Sequence, residues 1–217
     1  GYQSNDPKRS FMLAASVYSA IAGSALHYAE PPASFELRGQ KIRKPSDIIE
    51  QRLATCLDLS LLFAGTLEAA GLNPVILLFN GHAAVGVWLT KRTLANPIEH
   101  DLMEIRKAHA LRELILLETT GLTQRPPMMF EQAQKLIEHR LEEAARGSFV
   151  AAIDVRRARS GGITPLASHE IFRRGNDEGG DIEASNLPLP PLPGFGDLPQ
   201  EIVEEKPTTA AGRIDRW

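Results

Sequence analysis

Apolar residues recur at helical spacing in the first part of the chain. Between residues 7 and 29 they lie three or four positions apart, at Phe11, Met12, Ala15, Tyr18, Ile21, Ala22 and Ala25. This period predicts an amphipathic helix. Asp6 followed by Pro7 suits its N-cap and first turn. Residues 30–45 are interrupted by prolines and a glycine, which indicates an irregular connection.

Two more helices are predicted before residue 72. The segment 46–53 (SDIIEQRL) opens on Ser46 and Asp47 and should form a short helix. The segment 56–70 is apolar on nearly every side and stops at Gly71, a residue that often follows a helix C-terminus. A helix without a polar face belongs in the interior. We therefore expect this helix to be central and buried.

The rest of the pattern alternates strands with helices. The predicted strands are 73–80, 83–89, 114–120 and 148–159, and the predicted helices are 101–113 and 126–147. Asn80-Gly81 suits a tight turn between the first two strands. The last helix should place one apolar face inward, formed by Phe130, Ala133, Leu136, Ile137 and Leu141. This order predicts an α+β fold, with the central helix packed on an antiparallel sheet.

The character of the chain changes after about residue 174. Six of the fifteen prolines lie between Pro188 and Pro207, among acidic residues and without periodic apolar positions. This composition is typical of an extended linker. We therefore assign one domain to residues 1–174 and a disordered Pro-rich acidic linker to 175–217. We expect the linker to lead to a further domain of a longer protein, because the chain also starts without Met.

Charge and composition exclude several classes of function. The net charge is −3 and the isoelectric point about 6.1, so we expect no direct nucleic-acid binding and no attraction to anionic membranes. No apolar run is long enough to span a bilayer, and the first residues lack the order of a secretory signal. A single cysteine excludes a disulfide framework. We expect a cytoplasmic protein that needs no cofactor and no metal.

That cysteine, Cys56, begins the predicted central helix. Taken alone, a cysteine in an apolar helix is usually a small buried hydrophobic residue. A catalytic cysteine instead requires a lowered thiol pKa, a base and a group that orients the base. The first turn of a helix contributes to the first requirement, because its free N–H groups favour a thiolate. These N–H groups also suit a developing oxyanion.

One histidine and one carboxylate complete this set. Of the six histidines, His82 alone heads a predicted strand directly after a turn glycine. Glu118 ends the apolar run LILLE, and a buried carboxylate requires a partner. An imidazole N–H of His82 would meet that requirement. Asp58, two residues after Cys56, has a structural explanation, since an acid in the first turn stabilises a helix.

These residues resemble the core of the transglutaminase-like superfamily, within the papain-like cysteine hydrolases. The resemblance rests on TCLD, EAAGLNPVILL, GHAAVGVWL and ETT, and covers about residues 42–120. It implies that Cys56 is the nucleophile, His82 the base and Glu118 the orienting acid. The chain departs from the family pattern at two places. The triad acid is Glu rather than Asp, and Ala84 replaces a frequent Trp beside the substrate cleft.

A narrower resemblance extends over nearly the whole chain. The runs YAEPPASFELRGQKIRKPSDIIEQRLATC, ELILLETT and AIDVRRAR are similar to the transglutaminase-like region of large bacterial helicase-type proteins associated with antiphage defence. The final GRIDRW is similar to the start of their next block. The resemblance implies a downstream helicase-type domain as a partner in the same chain. No phosphate-binding loop of the Walker type occurs in these 217 residues.

Three further groups of polar residues have more than one interpretation. A side-chain amide often completes a papain-like oxyanion hole, and we favour Gln40 over Gln51 because its irregular segment should cross the cleft. His100 and His109 lie near acidic residues, but their spacing places them on opposite helix faces, so a metal site is not expected. The basic run 156–159 is interpreted as strand-end surface.

Two functions from different classes follow. The first is a cysteine hydrolase or acyl transferase that acts on a peptide or isopeptide carbonyl, with hydrolysis favoured. The second is a catalytically weak or inactive domain that binds a peptide or protein and regulates an attached helicase. The acidic charge argues against a third, nucleic-acid-binding function.

Overall fold

A computed structural model describes residues 1–4, 6–30, 41–144 and 147–165. Helices lie at Pro7–Gly23 (α1), Pro45–Gln51 (α2), Cys56–Ala69 (α3), Leu102–Ala110 (α4), Phe130–Ala144 (α5) and Val155–Ser160 (α6). Strands lie at His27–Tyr28 (β1), Leu53–Ala54 (β2), Pro74–Phe79 (β3), His82–Trp88 (β4), Ile98–Glu99 (β5), Leu114–Leu117 (β6) and Phe149–Asp154 (β7). The domain boundary at 174, the linker 175–217 and Gln40 lie outside the described residues.

Five strands form one antiparallel sheet in the order β5-β7-β3-β4-β6. β3 and β4 are joined by the predicted turn at Asn80-Gly81, where Gly81 adopts a φ of 73° that favours glycine. β4 and β6 approach closely at Gly86, where a Cβ would lie 2.6 Å from a Leu116 methyl carbon. A separate pair, β1 and β2, runs parallel. The predicted α+β class with an antiparallel sheet is therefore confirmed.

Alternate residues of the strands form cores on the two faces of the sheet. On one face, Ile76, Val85 and Leu117 pack with Tyr18 of α1 and Phe63 of α3. The other face packs against α4 and α5, through Val75, Leu77, Leu114, Leu116, Ile105, Ala108, Ile137 and Leu141. α3 is thus enclosed between α1 and the sheet, as its apolar sequence predicted.

Some predicted boundaries are wrong, each for a local reason. α1 ends at Gly23 rather than near residue 29, because Ala25 adopts a left-handed φ of 52° and the chain then pairs as β1. The predicted strand 148–159 ends at Asp154, whose side chain accepts a hydrogen bond from the Arg157 N–H and caps α6. The basic run 156–159 is therefore helical.

Two smaller differences concern the burial of single residues, Leu136 and Ala84. The sequence pattern predicts Leu136 on the buried face of α5, but Leu136 is 39% exposed, whereas its neighbour Ile137 is fully buried. Ala84 was expected beside the substrate cleft but is fully buried in the core on the α4 and α5 side of the sheet. Within the described ranges, every helix is too short or too polar to traverse a bilayer.

Candidate active site

Cys56 is the first residue of α3, and the chain fixes this helix start with a capping box. Thr55 is the N-cap: its hydroxyl accepts a hydrogen bond from the Asp58 N–H at 3.2 Å, and the Asp58 carboxylate accepts from the Thr55 N–H at 3.0 Å. The thiol therefore lies in the first turn, where the helix dipole favours a negative charge. Cys56 is 4% exposed.

Asp58 stabilises this helix start through a second contact. Its carboxylate accepts hydrogen bonds from the Arg43 backbone N–H and from the Arg43 guanidinium, both at 2.8 Å. Burial by itself raises the pKa of Asp58, but these bonds and those with Thr55 outweigh it, so the pKa lies below its ordinary value. Asp58 therefore attaches the segment around Arg43, just before α2, to the start of α3. This contact agrees with the structural role predicted for Asp58.

His82 and Glu118 lie near each other because of strand register. The last paired residues of β4 and β6 are Val85 and Leu117, so one further step places Ala84 opposite Glu118. His82 lies two residues before Ala84, at the start of β4, and is therefore close to Glu118 along the sheet.

The His82 ring and the Glu118 carboxylate form a short hydrogen bond. The distance from His82 Nε2 to Glu118 Oε2 is 2.7 Å, and Glu118 is fully buried. The other carboxylate oxygen, Oε1, accepts from the Thr120 N–H at 3.0 Å and from its hydroxyl at 2.8 Å. Each oxygen thus has its own partner, and the second ring nitrogen, Nδ1, remains for Cys56.

Cys56 and His82 shift each other's protonation in opposite directions. Burial raises the pKa of the Cys56 thiol, but a hydrogen bond with His82, the Ala83 N–H and the charge of His82 outweigh it, so this pKa is lowered. Burial lowers the pKa of His82, but hydrogen bonds with Cys56 and Glu118 raise it to about 9. Both shifts favour the thiolate–imidazolium form of the pair.

Tyr28 lies beside Cys56, although no pattern in the sequence indicates it. Its hydroxyl forms a hydrogen bond with Cys56, and its side chain is 43% exposed. Burial and the nearby thiolate raise the pKa of Tyr28, which keeps the phenol protonated as a donor. β1 positions this residue by pairing with β2, which directly precedes Thr55 and Cys56. A two-residue strand is too short to show a period in the sequence.

Arg140 is a second residue that sequence analysis missed. It lies on α5, and its Nε is 3.5 Å from Glu118 Oε2, the oxygen that also contacts His82. Its side chain is 37% exposed. In the sequence Arg140 stands among charged residues of an amphipathic helix, where a cation usually indicates nothing more than a solvent-facing position.

The other polar residues considered from the sequence lie elsewhere. Gln51 is exposed at the end of α2. His100 contacts the Val150 carbonyl, and His109 contacts the Leu114 carbonyl and Glu138. Among the residues that the structure describes, no three His, Cys, Asp or Glu side chains come together as ligands for a metal ion.

Comparison of the chain with protein-family models, with curated proteins and with solved structures gave no match. The chemistry of the site must therefore be inferred from its geometry. A thiol with a lowered pKa at a helix start, a histidine beside it and a buried carboxylate behind the ring form the set required for nucleophilic attack on an electrophilic carbonyl. The same set also suits transfer of a proton to a leaving group.

Proposed function

We propose that this chain is a cysteine hydrolase of the transglutaminase-like type, which acts on a peptide or isopeptide carbonyl through Cys56, His82 and Glu118. The observation that carries the proposal is the 2.7 Å hydrogen bond from His82 Nε2 to the buried Glu118, with Cys56 on the other side of the ring. A thiol at the start of a helix packed on an antiparallel sheet further supports the family assignment.

The reaction begins with attack of the Cys56 thiolate on the carbonyl carbon, which forms a C–S bond and moves the π electrons onto oxygen. Collapse of this intermediate breaks the C–N bond, and His82 donates its proton to the departing amine. A water molecule then attacks the thioester carbon, and His82 removes a proton from this water. The acid leaves, and the proton on His82 restores the thiolate–imidazolium pair. Glu118 holds the ring throughout.

Two groups of the described structure suit the developing oxyanion. One is the backbone N–H of Cys56, which lies in the first turn of α3 where it has no helical partner. The other is the Tyr28 hydroxyl, which already lies against the sulfur. A hydroxyl at this place could donate to the oxyanion alongside the Cys56 N–H. Gln40, which the sequence favours for this role, lies outside the described residues.

The substitution of Glu for Asp does not separate the acid from the base, because Glu118 reaches His82 within hydrogen-bonding distance. One observation favours the second candidate function, a peptide-binding sensor: Cys56 is only 4% exposed. In both cases we propose that the domain is a module of a helicase-type protein. The natural ligand is then a peptide or protein.

Acylation by p-nitrophenyl acetate tests the hydrolase proposal. We expect the native chain to form an acetyl adduct, visible by intact-mass spectrometry, faster than the denatured chain and to release it by hydrolysis. The Cys56→Ala variant controls for acylation of lysines, because Cys56 is the only thiol. Acylation of native Cys56 no faster than in the denatured chain would exclude the hydrolase and leave the sensor.

Replacing Tyr28 by Phe should raise the pKa of the Cys56 thiol, because the lost hydroxyl is one of the donors that favour the thiolate. We expect the midpoint of the alkylation rate against pH to rise by less than about one unit. The rate of alkylation of Cys56 by iodoacetamide, measured over a series of pH values, gives this midpoint.

The matched control is Tyr2→Phe. The Tyr2 hydroxyl donates to the Trp88 carbonyl at 2.7 Å, at the end of β4 remote from His82. This variant should leave the alkylation midpoint unchanged. Equal midpoints in Tyr28→Phe and the unmodified chain would show that the phenol does not act on the sulfur.

A further inference from the structure

The carboxylate of the candidate triad is shared with a cation from a third part of the fold. Arg140 Nε lies 3.5 Å from Glu118 Oε2, while His82 Nε2 lies 2.7 Å from the same oxygen. The Arg140 Nε is buried and has no hydrogen-bond partner. Arg140 therefore interacts with Glu118 electrostatically at close range. It does not form a hydrogen bond that would compete with His82 for Glu118 Oε2.

The backbone holds this arrangement in place. The Glu118 N–H donates to the Ala133 carbonyl of α5 at 3.1 Å, which attaches the segment after β6 directly to that helix. Arg140 follows Ala133 by seven residues, or about two turns, and so lies on the same face of α5. The helix that fixes the Glu118 backbone also supplies the cation that faces its side chain.

Arg140 and Glu118 act on His82 in opposite directions. The Glu118 charge stabilises the imidazolium, whereas the Arg140 charge destabilises it and lowers the pKa of His82. An arginine remains charged at every accessible pH, so its effect is constant. If Glu118 alone faced the ring, the imidazolium would be held more firmly and would be a weaker acid toward a leaving amine.

We propose that Arg140 is a positioning residue that acts on His82 through Glu118, by sharing Oε2 and so limiting how firmly the carboxylate holds the imidazolium. The role rests on the proposed function, in which His82 must both hold a proton beside the thiolate and release it to the leaving group. Arg140 itself does not contact the sulfur or the reacting carbonyl in this scheme.

The direction of the pH effect follows from the groups that face His82. In the described structure these are Cys56 from α3, Glu118 after β6 and Arg140 from α5, and Tyr28 from β1 interacts with Cys56. Arg140 is the cation among them. Removing its charge favours the protonated form of both titrating partners, so the pKa of Cys56 and that of His82 should both rise.

The test compares Arg140→Met with Arg140→Lys, which keeps the charge, and with Lys135→Met, which removes an exposed charge from the same helix. Histidine ring carbons labelled with ¹³C report the titration of His82 by NMR. We expect its midpoint to rise by about 0.5–1 pH unit in Arg140→Met. It should remain close to the unmodified value in the other two variants.

An unchanged His82 midpoint in a folded Arg140→Met variant would overturn the proposal. If that variant does not fold, Arg140→Gln supplies the same measurement with a polar side chain of similar reach. The result is separable from the proposed function. A shifted midpoint without Cys56 acylation would refute the hydrolase and retain the Arg140 interaction, whereas acylation without a shift would refute only the role of Arg140.

Discussion

Replacing His82 by Gln is expected to slow the alkylation of Cys56 by iodoacetamide about 10-fold to 100-fold near pH 6. In the unmodified chain we expect the imidazolium to hold the thiolate at this pH, because the pKa of His82 is raised to about 9 and that of the thiol is lowered. Glutamine cannot carry the charge. The thiol then returns toward its ordinary pKa, and only a small fraction remains ionised.

The pH dependence gives this prediction a distinctive form. The unmodified chain should show a plateau through neutral pH, since thiolate and imidazolium persist together until His82 loses its proton. In His82→Gln the rate should rise about tenfold for each pH unit up to the ordinary thiol pKa. His100→Gln is the matched control, because His100 is exposed and contacts the Val150 carbonyl far from the sulfur in sequence and fold. Equal profiles for His82→Gln and the unmodified chain would refute the pairing.

The three candidate residues Cys56, His82 and Glu118 could be selected from the sequence because each one interrupts a regular pattern. Cys56 begins an otherwise apolar helix, His82 follows a turn glycine, and Glu118 ends an apolar strand. Such positions combine a chemical group with a backbone location that the pattern itself defines. The hydrogen bond between His82 and Glu118 agrees with that assignment.

Tyr28 and Arg140 could not be found in the same way. Tyr28 reaches the sulfur because β1 pairs with β2, a contact between two-residue strands whose paired residues, His27 with Leu53 and Tyr28 with Ala54, lie 26 positions apart. Arg140 reaches Glu118 because α5 packs along β6, although its sequence surroundings are those of a solvent-facing helix side. Both contacts are tertiary, and neither leaves a period or motif in the local sequence.

The fold shows the same division between local and tertiary information. The apolar period of α3 and the Asn80-Gly81 turn were sufficient to predict a buried helix and a hairpin. The end of α1 depended on a left-handed Ala25, a conformation unusual for alanine that the pairing of β1 stabilises. The end of β7 depended on Asp154, whose side chain caps α6 rather than continuing the strand.

Replacing Asp58 by Ala is expected to lower the free energy of unfolding by about 3 kcal/mol near pH 7. Asp58 is 1% exposed and accepts hydrogen bonds from Thr55 and Arg43. Its removal leaves the buried Thr55 N–H without its partner and the Arg43 guanidinium without its counterion. The Arg43 side chain is 23% exposed, so water relieves part of the second loss.

Asp6→Ala is the control for the loss of a helix cap alone. Asp6 is exposed, and its carboxylate accepts from the Lys8 N–H at the start of α1. We expect Asp6→Ala to lower the free energy of unfolding by about 1 kcal/mol. Urea unfolding followed by circular dichroism measures both variants. A loss in Asp58→Ala no larger than that in Asp6→Ala would show that Asp58 acts as an ordinary cap.

The effect of Asp58 should also depend on pH in a defined direction. Its folded-state pKa is below the ordinary value of about 3.8, so its contribution is complete above that value and disappears as the pH falls through the folded-state pKa. The stability difference between the unmodified chain and Asp58→Ala should therefore narrow only at strongly acidic pH.

Because Asp58 and Thr55 fix the helix start, the same variant should also reduce the thiolate character of Cys56. A variant that lost stability but kept full Cys56 reactivity would show that the site tolerates a frayed helix end.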